Sequence, residues 1–306
     1  MKISIVSAVY RSGDSVNDFV DALTKVLSGI TQDFEIVLVD DCSPDNSWSY
    51  IEQNCSKDSR IVGLRLARNF GQQIAVSVGI KHAKGDYVVV MDADLQNPPE
   101  AIHEIVAELE KGNDVVYTVS KTRNNLSTRI TSALFWYLLT NVFKTKIVRN
   151  QLMMKGLSRR LVDVYNSYSE MTRTVAGIIN DIGMKYTVIE VQNRKRTKGK
   201  SNYNFLKRFN LMIDVVLSIT TAPLNILINL SLVTILITIL VAIYYLVLYF
   251  VADVNPGFTS LMLSIFFFGS LTTMLLGIIG RYLSNIYLEV RNRPLFIIDK
   301  TINSHD

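Results

Sequence analysis

Two long stretches without a charged residue constrain this chain more than any other feature. They cover 38 positions from Val215 to Ala252 and 27 from Val254 to Gly280, with only Asp253 between them. A helix needs about 20 apolar residues to cross a bilayer core, and Leu224–Phe250, whose interior has no Pro, Gly or charge, supplies one such run. Ser260–Tyr282 supplies the second, and the turn-forming Asp253, Asn255, Pro256 and Gly257 separate them. The pattern predicts a two-helix membrane hairpin over residues 223–283. A 49% hydrophobic content and a mean hydropathy of +0.23 agree with this, and exclude a disordered chain, a coiled coil and a plain soluble enzyme.

Lysines and arginines set the expected orientation. The loop between the two runs has none, whereas Lys207 and Arg208 precede the first run and Arg281, Arg291, Arg293 and Lys300 follow the second. By the positive-inside rule both termini are cytoplasmic. The opening MKISIVSAVY has too short an apolar stretch for a secretory signal, so residues 1–200 are expected on the cytoplasmic face of the cell membrane and 284–306 as a cytoplasmic tail. Cys42 and Cys55 form no metal-ligating pattern and are expected as free thiols. The net charge of +5 resides largely in KTRNN, NRKRTKGK and FLKRF. Two of these lie near the first run, which suits anionic headgroups or phosphorylated substrates better than nucleic acid.

Before the hairpin, β-rich apolar runs recur at Ile3–Tyr10, Phe34–Asp41, Ile61–Ala67, Tyr87–Asp94 and Asp114–Ser120. Segments of helical spacing follow, such as Val16–Leu27 and Ile74–His82. This alternation predicts an α/β fold with a doubly wound, mostly parallel sheet. EIVLVDD and DYVVVMDAD read as strands buried on both faces until each meets acidic residues at its carboxyl end, where open α/β sheets bind their ligands. Beyond the basic segment Arg194–Asn202, apolar residues at three- and four-residue spacings predict an interfacial amphipathic helix over 201–222, with Lys207 and Arg208 elsewhere on its wheel. An ordinary core-facing helix is the alternative.

Asp92 and Asp94 place two carboxylates at the end of a strand, where both can reach one hard cation. Mg²⁺ or Mn²⁺ is commonly held by one or two carboxylates together with the phosphates of a nucleotide, so the pair suggests a nucleotide diphosphate site. Asp40 and Asp41 end another strand and are placed to accept hydrogen bonds from a base or ribose, or to cap the next helix through the turn-rich CSPDNS.

With SAVYRSGDSV, VDDCSPDNS, LRLARNFGQQIAVSVGIKHAKGDYVVVMDADLQNPPEAI, RTKGKSNY and RNRPLF, the chain resembles the GT-A fold glycosyltransferases of family 2. Within them it is similar to the polyprenyl-phosphate glycosyltransferases of the dolichol-phosphate mannose synthase type. The resemblance covers nearly the whole chain, and its long block from Leu64 to Ile102 is the most specific. It implies that Asp92, Asp94 and Gln96 surround the metal and sugar diphosphate, and that Asp41, Tyr10 and Ala8 lie along the nucleotide with Asp40 beside them. Arg196, Gly199, Ser201 and Tyr203 match a family motif that closes over the active site at the membrane, where an Arg compensates phosphate charge. Arg123 and Arg129 are candidates for phosphate contact, with solvated helix surface as the alternative.

Three departures stand out. Ala8-Val9-Tyr10-Arg11-Ser12 lacks the acidic residue of the usual start, Asn202 replaces a common Lys, and Asn150-Gln151-Leu152-Met153-Met154 lacks a carboxylate sometimes proposed as a base. A sugar hydroxyl acceptor needs a positioned base. A lipid phosphate, with a second pKa of about 6, does not. The expected activity is therefore inverting transfer of a sugar from a UDP- or GDP-linked donor to polyprenyl (undecaprenyl) phosphate in the lipid bilayer. Transfer to a lipid-linked saccharide, or nucleotide-sugar binding without catalysis, are the alternatives. Gly269, Gly277 and Gly280 with Ser264 and Ser270 offer small residues for helix contact in a homo-oligomer.

Overall fold

The computed structural model describes residues 1–120 other than 14, then 148, 151–170, 174–192, scattered positions from 229 to 247, and 257–304 other than 292. The chain divides into two compact units. The first is Met1–Trp136, Lys146–Asn204 and Arg293–Asp306, and the second is Tyr137–Thr145 and Phe205–Asn292.

In the first unit the elements are β1 (Ile3–Val9), α1 (Ser15–Ser28), β2 (Phe34–Asp40), α2 (Ser47–Lys57), β3 (Ile61–Leu66), α3 (Gln72–His82), β4 (Tyr87–Val90) and α4 (Ala101–Glu110). They continue with β5 (Val115–Ser120), β6 (Gln151–Ser158), α5 (Arg159–Ser167), α6 (Val175–Ile182) and β7 (Tyr186–Val191). In the second unit α7 spans Phe258–Val290, and the chain then returns to the first unit as β8 (Ile298–Ile302).

Among the described residues the eight strands form one mixed sheet in the order β7-β5-β6-β4-β1-β2-β3-β8. β1 pairs in parallel with both β2 and β4, β2 with β3, and β5 with β7, while β6 and β8 run antiparallel to their neighbours. The expected mostly parallel sheet is present. Its strand order reverses at β1, and the carboxyl ends of β1 and β4 flank this switch point, where open α/β sheets bind their ligands. Side-chain alternation splits the core accordingly. Ile5, Leu38 and Val89 pack with α1, α2 and α4 on one face, and Val6, Val39 and Val90 with α3, α5 and α6 on the other. Gly79 lets α3 approach the second face closely, since a Cβ there would lie 2.3 Å from Val6 Cγ1.

The amino ends of the strands are locked by polar contacts. Buried Glu35 accepts from Ser4 Oγ at 2.6 Å and from the Lys84 N–H at 2.6 Å, and pairs with Lys2 Nζ at 2.9 Å. Arg159 donates to the carbonyls of Ala83 at 2.8 Å and Gly85 at 2.9 Å. Asp114 accepts from Arg160 Nε and from Ser158 Oγ, each at 3.0 Å. These groups close one end of the sheet, and the end that carries the acidic residues is left for ligands.

The segment after α7, expected as part of a tail, supplies an edge strand. β8 pairs with β3, the Ala67 N–H donates to the Ile297 carbonyl at 2.9 Å, and Phe296 packs against the second core. Asn303, with φ of 55°, donates through Nδ2 to the carbonyls of Cys55 at 2.8 Å and Ile61 at 3.0 Å.

In the second unit α7 has 33 residues, about 50 Å at the usual rise. Its Phe267–Val290 portion is long and apolar enough, by length and composition, to cross a membrane. Leu261, Phe267, Leu276 and Leu283 of α7 are exposed. The expected interfacial helix and most of the first expected span lie outside the described residues.

Candidate active site

Three strand ends build the site, and each is followed by a left-handed residue that is not glycine: Arg11 after β1, Cys42 after β2 and Leu95 after β4. Such backbone strain persists only where surrounding contacts enforce it, and it concentrates at functional sites. Here the contacts are visible. Ser43 Oγ accepts the Arg11 N–H at 3.2 Å, and Ser47 Oγ accepts those of Ser12 and Gly13 at 3.1 and 3.0 Å. The β1 loop is thereby stapled to the β2 loop. Tyr10 stays 43% exposed beside this junction with the Arg11 guanidinium 5.4 Å from its ring centre, and Ala8 packs at the border of the second core.

The adjacent carboxylates of Asp40 and Asp41 point to opposite faces and do different work. Asp41 accepts the N–H groups of Phe70 at 2.7 Å and Gly71 at 2.9 Å, which fixes the loop entering α3. Gly71 there has φ of +94°, a conformation L side chains rarely adopt. Burial raises the Asp41 pKa above the ordinary carboxylate value, and the two N–H donors oppose that rise. Asp40 is fully buried. Its Oδ1 accepts the Ser43 N–H at 3.1 Å, while among the described residues Oδ2 accepts no hydrogen bond and lies 3.5 Å from the Arg65 Nε. Burial raises its pKa as well, with Ser43 and Arg65 pulling the other way. A buried acceptor left with an open lone pair is suited to a donor group on a ligand.

β4 ends at Val90, earlier than the apolar run suggested, so Asp92 and Asp94 sit in the turn beyond it. Half-buried Asp92 accepts from Gln72 Nε2 at 2.7 Å, at the first turn of α3. Asp94 is exposed. It accepts from the Gln96 N–H at 3.1 Å and from Gln96 Nε2 at 2.5 Å. Asp94 and Gln96 are therefore in contact, and Asp92 is turned toward α3. Oxygen donors of this kind fit a hard divalent cation. Among the described residues no three His, Cys, Asp or Glu side chains gather into a metal-holding group.

One group was missed by sequence reasoning. Lys155 on β6 stands opposite Val90 and Tyr117 and is only 2% exposed. Its side chain shares the face of Val90, two residues before Asp92. Burial pushes its pKa down to about 8, and Asp92 is the charge that opposes the fall. Among the described residues no hydrogen bond reaches its Nζ. A lone Lys in QLMMKGLS gives no periodic signal, and only the antiparallel insertion of β6 beside β4 makes it part of the site. Arg123, Arg129, Arg196, Ser201, Tyr203, Lys207 and Arg208 lie outside the described residues.

Residues 4–163 match the glycosyl transferase family 2 domain, and the chain belongs to that family. It is 32% identical to the undecaprenyl-phosphate 4-deoxy-4-formamido-L-arabinose transferase of Proteus mirabilis, over 98% of this chain and 94% of that one. An uncharacterised glycosyltransferase of Synechocystis sp. is 30% identical over 97% of this chain and 95% of its own length. Among solved structures, similarity extends to glucosyl-3-phosphoglycerate synthase from Mycobacterium tuberculosis in complex with Mn²⁺, UDP and phosphoglyceric acid. That match has a TM-score of 0.49 and 16% identity, covering 69% of this chain and 74% of that one.

Proposed function

We propose that this protein transfers a sugar, with inversion, from a nucleotide diphosphate donor to undecaprenyl-type phosphate at the cytoplasmic face of the membrane. The observation that carries the reading is the acidic turn after β4 at the switch point of a family 2 sheet, in a chain related along nearly its full length to an undecaprenyl-phosphate sugar transferase.

The donor's nucleoside lies along the β1 and β2 ends, where the open Oδ2 of Asp40 accepts a base or ribose donor and Tyr10 offers a ring for stacking. Asp92, Asp94 and Gln96 hold Mg²⁺ or Mn²⁺ with the diphosphate. That cation, when bound, supplies positive charge that stabilises the leaving diphosphate. The acceptor phosphate is already anionic near neutral pH, so its oxygen attacks the anomeric carbon without a general base. The bond to the sugar forms as the bond to the nucleotide diphosphate breaks, and the enzyme's task is alignment and charge neutralisation. Arg123, Arg129, Arg196, Ser201 and Tyr203 meet the phosphates, while Lys207 and Arg208 anchor an interfacial helix on anionic lipid. α7 is the second membrane span and residues 224–250 the first. The glycines of α7 provide a helix contact for a homo-oligomer.

The test is a donor panel of UDP- and GDP-linked sugars with Mg²⁺ or Mn²⁺ and undecaprenyl phosphate, scored for label entering the organic phase. One donor labels the lipid, and Asp94→Ala abolishes that label. Label appearing in saccharide without undecaprenyl phosphate would move the acceptor to a glycan.

A further inference from the structure

Lys155 is the buried charged group that the mechanism above leaves without a task. Burying an ammonium costs several kcal/mol unless something compensates it, and the fold does not spare it this cost. β6 inserts between β4 and β5, and its register sets Lys155 opposite Val90, on whose face its stem runs, two residues before Asp92 enters the turn. Asp92 is the carboxylate whose charge acts on Lys155, and its Oδ1 also accepts from Gln72.

Resting on the reading that the site takes a nucleotide diphosphate, we infer that Lys155 is a fixed countercharge under the acidic turn, which makes the site favour the metal–nucleotide complex over the bare metal ion. The charge balance gives the reason. Two carboxylates, a diphosphate ester with two negative charges and one divalent cation leave an excess of negative charge, which a buried ammonium offsets. Toward a bare divalent cation the same ammonium is repulsive and cancels one of the two carboxylates. Lys155 is thus a positioning and charge-balancing residue, and the cation enters with the nucleotide.

The test uses the full chain in detergent, with Lys155→Met and Lys155→Arg. Mn²⁺ binding without nucleotide is followed by electron paramagnetic resonance. Binding of UDP or GDP, whichever the wild type holds more tightly, is followed by calorimetry at saturating Mn²⁺. Lys155→Met should weaken nucleotide binding about 10- to 100-fold, as loss of a supporting partner does, while Mn²⁺ binding alone stays equal or tightens. Lys155→Arg should keep nucleotide binding near that of the wild type. A fall of both affinities together in Lys155→Met, or no change in either, overturns the inference, as does a folded Lys155→Arg that loses nucleotide binding. Opposite shifts in an enzyme that fails to label undecaprenyl phosphate would remove the acceptor assignment and leave the role of Lys155 standing. Absent shifts in an enzyme that does label it would remove Lys155 alone.

Discussion

Replacing Gly79 by Ala tests how α3 is seated on the sheet, and hence how Gln72 reaches Asp92. The added Cβ would lie 2.3 Å from Val6 Cγ1 and 3.2 Å from Val39 Cγ2. Ordinary carbon contacts are about 3.5–4.0 Å, so helix or strand must retreat by about 1 Å or more. Val6 and Val39 are fully buried in the sheet, and neither can rotate away freely. Overpacking of this kind costs about 1–3 kcal/mol, which for a domain of this size lowers the melting temperature by about 2–12 °C. Thermal unfolding of the full chain in detergent, followed by intrinsic fluorescence, reads the effect. The decisive comparison is a cycle with Val6→Ala, which removes the atom closest to the new methyl. In that background Gly79→Ala should cost at least about 1 kcal/mol less than in the wild type, because neighbouring residues couple. An equal loss in both backgrounds, or no loss in the wild type, would refute the close-approach argument.

Other expected outcomes follow from the same contacts. Asp114 is held below the usual carboxylate range chiefly by the hydrogen bond from Arg160, with Ser158 assisting. A depressed pKa contributes stability that is present above the unfolded value and lost as pH falls through the folded one. Asp114→Asn should therefore flatten the stability–pH curve below about pH 4, and urea titrations across that range check it. Asp41→Ala leaves the part-buried Phe70 and Gly71 N–H groups without their acceptor, and at about 1–3 kcal/mol for each donor left open it should cost about 2–6 kcal/mol by chemical denaturation. The Cys55 thiol is buried and pushed up to about 12, while Cys42 is half-buried. Iodoacetamide followed by mass spectrometry should accordingly label Cys42 first and Cys55 only on unfolding.

Much of the fold was legible because burial on both faces leaves a plain signature. The runs of β1 to β5 are nearly continuous apolar residues, and four of them end within about a residue of the observed strands. β4 stops earlier, since Asp92 and Asp94 turn out of the sheet. β6 was hidden for a physical reason: its QLMMKGLS has no β-branched or aromatic residue, a glycine packed against Ile105, and a buried lysine. β8 was hidden because an edge strand with Asp299 and Lys300 in its middle reads as a charged tail. The acidic turn was legible at the site, because acidic residues closing apolar runs are rare in buried strands. The division of labour between Asp40 and Asp41 was not, since it depends on which face each side chain takes. Nor was the pairing of Gln72 with Asp92, which joins residues that are distant in sequence and adjacent only after α3 packs.

The most direct test of the central claim is mass spectrometry of the lipid extract after membranes carrying the protein are incubated with undecaprenyl phosphate and the donor panel. The account predicts a new species with the mass of undecaprenyl phosphate plus one sugar residue, absent when the acceptor is omitted and absent with Asp94→Ala. A sugar attached to a saccharide instead, or an undiminished product from Asp94→Ala, would contradict it.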